Sequence, residues 1–324
     1  MTSRPRSAAK TDVLIRIVSL YRSLLRLITP LAVSVILLTI AVIIYQNWSY
    51  LVTFHWQVNY ASASLSFLLC IATWLFYGLN WGVMTRRLGS GLTLYESMRL
   101  YFVSSVATFI PGRVWYIASR IYLYDREGVK KAVTSLALIM EVVILVLSAT
   151  TVFAIATLWS PLPQYVGNWS FLLLLIIPMI VVLAYPSFLT AVVNFFLTKL
   201  GRERISLDLC YKDTLGWLVL YALNWCVGGI VLYYLLNALW TVPSSCFPVI
   251  LQGVCLSSVI SQVFFLIPAG LGVREVTLVY LLSPTIPMPV AIVGSLLFRI
   301  WLMLGEATCL LLLSSRRKAL TTQK

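Results

Sequence analysis

The sequence predicts an all-α polytopic membrane protein, with six transmembrane helices and two oppositely oriented re-entrant helical hairpins in an inverted repeat. Three observations predict it. Of 324 residues 60% are apolar and only 10% charged, whereas roughly a quarter of residues carry charge in water-soluble domains. Apolar segments of about 20 residues, long enough to cross hydrocarbon, recur from residue 28 to residue 313. Lys and Arg gather in alternate loops, as they do on the cytoplasmic side of membrane proteins.

The elements follow in order. Residues 1–27 carry Arg4, Arg6, Lys10, Arg16, Arg22 and Arg26, and from Val13 to Leu27 apolar side chains recur at helical spacing. They predict a basic amphipathic helix on the cytoplasmic surface. Spans are expected at 28–46, 61–82, 132–159, 170–190, 215–240 and 289–313. The first is read as a retained span, because no A-x-A cleavage pattern follows it. Two further apolar segments, 93–125 and 246–283, are interrupted by Pro111-Gly112 and by Pro268-Ala269-Gly270. Residues 113–125 would rise only about 20 Å as a helix, less than the roughly 30 Å hydrocarbon core, so each segment is expected to turn back.

Orientation comes from charge. The basic loops at Arg86 to Arg87, Arg126 to Lys131 and Lys199 to Lys212, the N-terminal region and the tail 314–324 all fall on one side, with both termini cytoplasmic. The opposite loops, 47–60, 160–169 and 241–245, contain no Lys, Arg, Asp or Glu and offer Trp48, Trp56, Trp159 and Trp240 to an interfacial belt. The chain then divides into a first repeat over 28–159, a connector over 160–214 with its outer loop, span and basic loop, and the remainder of a second repeat over 215–313. Ser104-Ser105-Val106 ahead of the first break is echoed by Ser257-Ser258-Val259 ahead of the second. Broken helices in inverted repeats form the substrate sites of many secondary transporters.

Nine charged residues fall in these membrane segments: Glu96, Arg99, Arg113, Arg120, Glu141, Arg274, Glu275, Arg299 and Glu306. Left unpaired at depth they would cost roughly 25 kcal/mol, more than a whole stability margin, so they must pair or line a wet cavity. Arg113 and Arg120, and likewise Arg299 and Glu306, are seven residues apart and share a helical face. Five Arg against four Glu leave an excess positive charge suited to phosphate. Ion pairs that merely lock the bundle would satisfy the same charges. Glu96 and Arg99, nearest the inner surface, fit an interfacial role. The expected substrate-binding set is Arg113, Arg120, Glu141, Arg274, Glu275, Arg299 and Glu306, with helix breaks at Pro111, Gly112, Pro268, Gly270 and Gly272.

Other chemistry is not expected. A single histidine, six cysteines without a C-x-x-C pair, and no G-x-x-x-x-G-K-[ST] loop give no basis for a metal, a cofactor or ATP. The formal charge of +14 reads as topology rather than as a nucleic-acid surface.

The Phe109-Ile110-Pro111-Gly112-Arg113 stretch with Arg120 beyond it, Glu141 in the next span, and Ile267-Pro268-Ala269-Gly270-Leu271-Gly272-Val273-Arg274-Glu275 followed by Arg299 resemble the lysylphosphatidylglycerol synthase transmembrane-region family, over about residues 30 to 315. The resemblance implies a flippase-like protein of a bacterial or archaeal inner membrane that moves a phospholipid or lipid-linked intermediate between leaflets. With the chain ending at Lys324, the soluble aminoacyl-transferase domain of bifunctional members is not expected, nor is enzymatic activity. A membrane partner or scaffold of a lipid-synthesis enzyme is the alternative. A membrane glycosyltransferase is a third reading, but the outer loops hold no acidic residue. Lipid identity, direction, coupling ion and oligomeric state stay open.

Overall fold

The computed structural model describes residues 44–109, 114–160, 210–263 and 272–321, with isolated helical positions at 34, 38, 41, 42, 191, 194, 195 and 198. The amphipathic helix 1–27, most of span 28–46, the loop 161–169, span 170–190 and the basic loop 199–209 lie outside the described residues. So do Pro111, Gly112, Arg113, Pro268 and Gly270.

Among the described residues the chain is all-helical. The helices are α1 (Trp48–Thr53), α2 (Tyr60–Arg87), α3 (Leu94–Ser105), α4 (Val114–Arg126), α5 (Lys131–Trp159), α6 (Tyr211–Asn237), α7 (Phe247–Val263), α8 (Val273–Leu282) and α9 (Met288–Thr321). Five are long and apolar enough to cross a membrane: α2, α5, α6, α7 with its leading 3-10 turn, and α9. The predicted breaks fall where helices end, since α3 tightens into a 3-10 turn at Val106–Phe109 before α4 begins, and α7 gives way to α8.

Local chemistry sets the boundaries. The Asn59 side chain accepts from the Ser62 N–H at the start of α2. Thr93 and Glu96 form a reciprocal capping box at the start of α3, which satisfies two of the helix's orphan donors. Glu96 is therefore a cap rather than a buried charge. Arg99 pairs with Glu127 at 3.2 Å, and both sit where α3 begins and α4 ends.

Contacts across the helices give their directions. Tyr124 Oη donates to the Ser97 carbonyl at 2.9 Å while Arg120 reaches Ser104 at 2.9 Å, so α3 and α4 run antiparallel as a hairpin. Ser258 meets Arg274 and Gly253 faces Leu278 and Leu282, which makes α7 and α8 a second hairpin. Ser66 donates to the Val231 carbonyl at 2.7 Å, Tyr77 faces Tyr221, and Arg87 grips Asp213 at 3.0 Å. Helices α2 and α6 are thus antiparallel partners along their whole length.

The bundle has two unlike ends. At one, the terminus of α2, the start of α3, the terminus of α4 and the starts of α5 and α6 bring together Arg86, Arg87, Arg126, Lys131 and Lys212. At the other, residues 54–59, 238–246 and 283–287 contain no Lys, Arg, Asp or Glu. Backbone bonds from Gln57 to Leu239 and from Asn59 to Ala238 tie that end together. The first hairpin opens at the basic end and the second at the charge-free end. Close packing comes from small residues, as is usual between membrane helices: Gly78 lies against the Phe102 ring and Gly229 against Leu251.

Candidate functional site

In the first hairpin, α4 directs Arg120 back along α3 into the interior. The guanidinium pairs with Glu141 of α5 at 3.0 Å, with both side chains almost wholly buried, and its Nε donates to Ser104 at 2.9 Å. Three rings surround it, with centroids at 4.3 Å for Trp81, 4.1 Å for Tyr101 and 4.3 Å for Tyr116. Cation–π attraction strengthens where the cation is desolvated, and Arg120 Nη2, which has no hydrogen-bond partner, lies among these faces. The cage is itself held: Trp81 Nε1 donates to Tyr124 Oη at 2.6 Å, which in turn donates to the Ser97 carbonyl. Glu306, on α9, lies near Ser105 at the end of α3 and within the field of Arg120.

The second hairpin repeats one part of this plan and drops the rest. Arg274 Nη2 donates to Ser258 at 2.9 Å, sixteen residues before it, the same separation that joins Arg120 to Ser104. Where Arg120 finds a carboxylate on α5, Arg274 finds the Phe298 ring of α9 at 5.5 Å. Among the described residues no carboxylate lies within ion-pairing distance of Arg274, and its buried Nε has no hydrogen-bond partner. Its neighbour Glu275 is spoken for twice. One oxygen accepts from Arg299 at 2.7 Å and the other from the Gly272 N–H at 2.6 Å, closing the first turn of α8. Gly272 holds φ +80° and ψ −44°, a region that glycine alone enters without strain.

Of the interior arginines, Arg120 and Arg299 are thus each neutralised by a glutamate of a neighbouring helix. The expected sharing of a face by Arg299 and Glu306 does not make them the principal pair, because Glu275 on the adjacent helix α8 takes Arg299. Tyr77 of α2 lies between the two arginine sites, within electrostatic reach of both Arg274 and Glu141. Arg113, Pro111, Gly112, Pro268 and Gly270 lie outside the described residues.

Two features of the site lie outside the charged set. The aromatic cage of Trp81, Tyr101 and Tyr116 is scattered over three helices and has no sequence signature. A second internal echo is legible in the sequence: Tyr77-Gly78-Leu79-Asn80-Trp81 in α2 and Tyr221-Ala222-Leu223-Asn224-Trp225 in α6. The two segments meet, with the Tyr77 and Tyr221 rings 6.0 Å apart and those of Tyr77 and Trp225 6.4 Å apart. Trp225 Nε1 donates to Ser148 of α5 at 3.0 Å.

These features define a class, the multi-pass α-helical membrane protein, here with two helical hairpins that each carry an interior arginine. Residues 27–304 match the family model for the lysylphosphatidylglycerol synthase TM region, and the chain belongs to that family. No curated protein matches it.

Proposed function

We propose that the protein is a lipid flippase of the inner membrane that moves an anionic or headgroup-modified phospholipid, or a lipid-linked intermediate, between leaflets. The observation that carries the reading is Arg274, an interior guanidinium with one hydroxyl partner, an open Nε and no ion-pairing carboxylate among the described residues. A bare charge in a membrane interior is costly, and its counterpart Arg120 is fully neutralised. A phosphate on Arg274 supplies the missing counter-charge, because guanidinium donors suit phosphate oxygens.

In this reading both hairpins are re-entrant and open to opposite sides, with six full spans around them. The headgroup crosses between the hairpin tips while its acyl chains stay in the bilayer. Arg113, next to the first break, is the second phosphate contact. The pairs Arg120 with Glu141 and Arg299 with Glu275 hold the walls, and Glu306 and Ser105 line the first tip. No chemical step is assigned to the protein.

The completeness of the Arg120 site favours a second reading, a non-transporting scaffold for a lipid-synthesis enzyme, in which the interior charges are structural only. Reconstituted vesicles with a fluorescent anionic lipid separate the two. Arg274→Ala is expected to abolish transbilayer movement and Arg274→Lys to retain part of it, since lysine keeps the charge and loses the fork. Unchanged movement in Arg274→Ala would favour the scaffold.

A further inference from the structure

Among the described residues, Glu141 and Glu275 each accept an arginine, and Glu96 closes a capping box. Glu306 differs. It stands in α9, within the stretch long and apolar enough to cross a membrane, and it forms no ion pair among the described residues. An ionisable side chain in a membrane helix marks an ion or proton pathway unless a partner accounts for it. Keeping a carboxylate charged there without a counter-ion is costly, and binding a proton removes the cost.

Packing sets its surroundings. The Tyr95 hydroxyl donates to the Leu313 carbonyl at 2.7 Å, which holds that part of α9 beside the start of α3 at the basic end, while Glu306 lies near Ser105 where α3 finishes. Seven residues separate Glu306 from Leu313, so it sits about 10 Å deeper than that contact. The titratable and charged groups that face it are few. Arg120 of α4 reaches it electrostatically, with Glu141 of α5 paired to that arginine. Cys309 follows three residues on in α9, and Cys70 of α2 packs against Gly305. Glu306 is partly exposed, between buried Gly305 and exposed Ala307, so a proton reaches it without opening the bundle, whereas Arg120 and Glu141 are closed off.

We propose that Glu306 is a proton-binding site that couples lipid movement to a proton gradient. Protonated, it is neutral and leaves Arg120 to Glu141. Ionised, it competes with Glu141 for Arg120, whose Nη2 has no hydrogen-bond partner, and so draws the first hairpin towards α9. The proton passes between a carboxyl oxygen and water at the exposed edge, and no other bond is made or broken. A metal cation fits less well, because hard cations gather about six oxygen ligands and no group of three His, Cys, Asp or Glu side chains able to hold one occurs among the described residues. The inference rests on the flippase reading and adds to it the coupling ion.

The test uses the full-length protein in vesicles with a fluorescent anionic lipid, the voltage being clamped with potassium and valinomycin so that only the pH difference acts. Imposing a pH difference should change the rate of transbilayer movement several-fold in the wild type. Glu306→Gln, which keeps the shape and cannot ionise, should lose that dependence, and Glu306→Asp should keep it. Infrared spectroscopy adds a readout that needs no transport. The carbonyl stretch of a protonated carboxylic acid should be present in wild-type protein at neutral pH, fade as the pH is raised, and be missing from Glu306→Gln. A shift of the band in Glu306→Asp assigns it even where the Gln variant fails to accumulate.

Wild-type movement indifferent to the pH difference, or a dependence that survives in Glu306→Gln, overturns the coupling. So does the lack of a carboxylic band that depends on Glu306. In each of these cases, lipid movement that Arg274→Ala still abolishes leaves the flippase reading standing. No lipid movement by wild-type protein at any pH overturns the flippase reading and the coupling with it.

Discussion

The pair of Arg120 and Glu141 shows what a buried charge requires of its surroundings. Desolvating both groups is costly, and their attraction repays the cost only when the remaining donors are also met. Here Ser104 takes Nε and three aromatic faces take the rest of the guanidinium. Glu141→Ala leaves the arginine bare and should destabilise the protein by about 3–5 kcal/mol. The double variant Arg120→Met with Glu141→Leu should melt well above Glu141→Ala in detergent, since no charge is then stranded. A double variant as unstable as the single one would show that the pair does more than neutralise itself. At this scale the sequence was informative about which residues carry charge and poor about their partners. Glu275 and Arg299 lie 24 residues apart on different helices, and no periodicity within one helix joins them, whereas the visible spacing of Arg299 and Glu306 pointed to a pair that the crossing of α8 and α9 replaces.

Among the elements, the second hairpin turns on a backbone that only glycine fits. Gly272 combines φ +80° with an N–H bonded to Glu275, so the residue that ends the break also starts α8 and orients the carboxylate that holds Arg299. Gly272→Ala keeps the N–H and adds a Cβ, and should cost about 1–3 kcal/mol of strain. Its melting temperature should fall and lipid movement should fall with it. Gly128→Ala, at φ +84° in a loop with nothing near its Cβ, should lose stability alone. Equal lipid movement in both variants would remove the break from the mechanism. Helix ends were well marked in the sequence because Pro and Gly punctuate them: the hairpins predicted at 93–125 and 246–283 contain helices at 94–105 and 114–126, and at 247–263 and 273–282. The start of α3 was less legible, since a capping box at Thr93 and Glu96 looks from composition alone like one more charge in an apolar segment.

For the molecule as a whole, the membrane-spanning character and the two hairpins were legible in the order of apolar segments and breaks, while the pairing of α2 with α6 was not. Both ends of that pair are fastened, by Arg87 with Asp213 at one and by backbone bonds to Leu239 and Ala238 at the other. In the flippase reading, motion between leaflet-facing states then falls to the hairpins. The unlike ends give a direct test of orientation: on a Cys-free background, an impermeant maleimide added outside intact cells should label His55→Cys and leave Gly128→Cys unlabelled. The reverse pattern would turn the protein over. What the sequence could not convey was how far the halves differ, because the identity of a charge's partner is fixed by packing between helices and not by the repeat itself. The separation of a basic end from a charge-free end also has an electrical meaning. In the flippase reading, with the basic end in the cytoplasm, an anionic headgroup carried towards the charge-free end moves down an inside-negative potential, at about 2.3 kcal/mol per charge for each 100 mV, so the resting voltage of the cell favours outward movement.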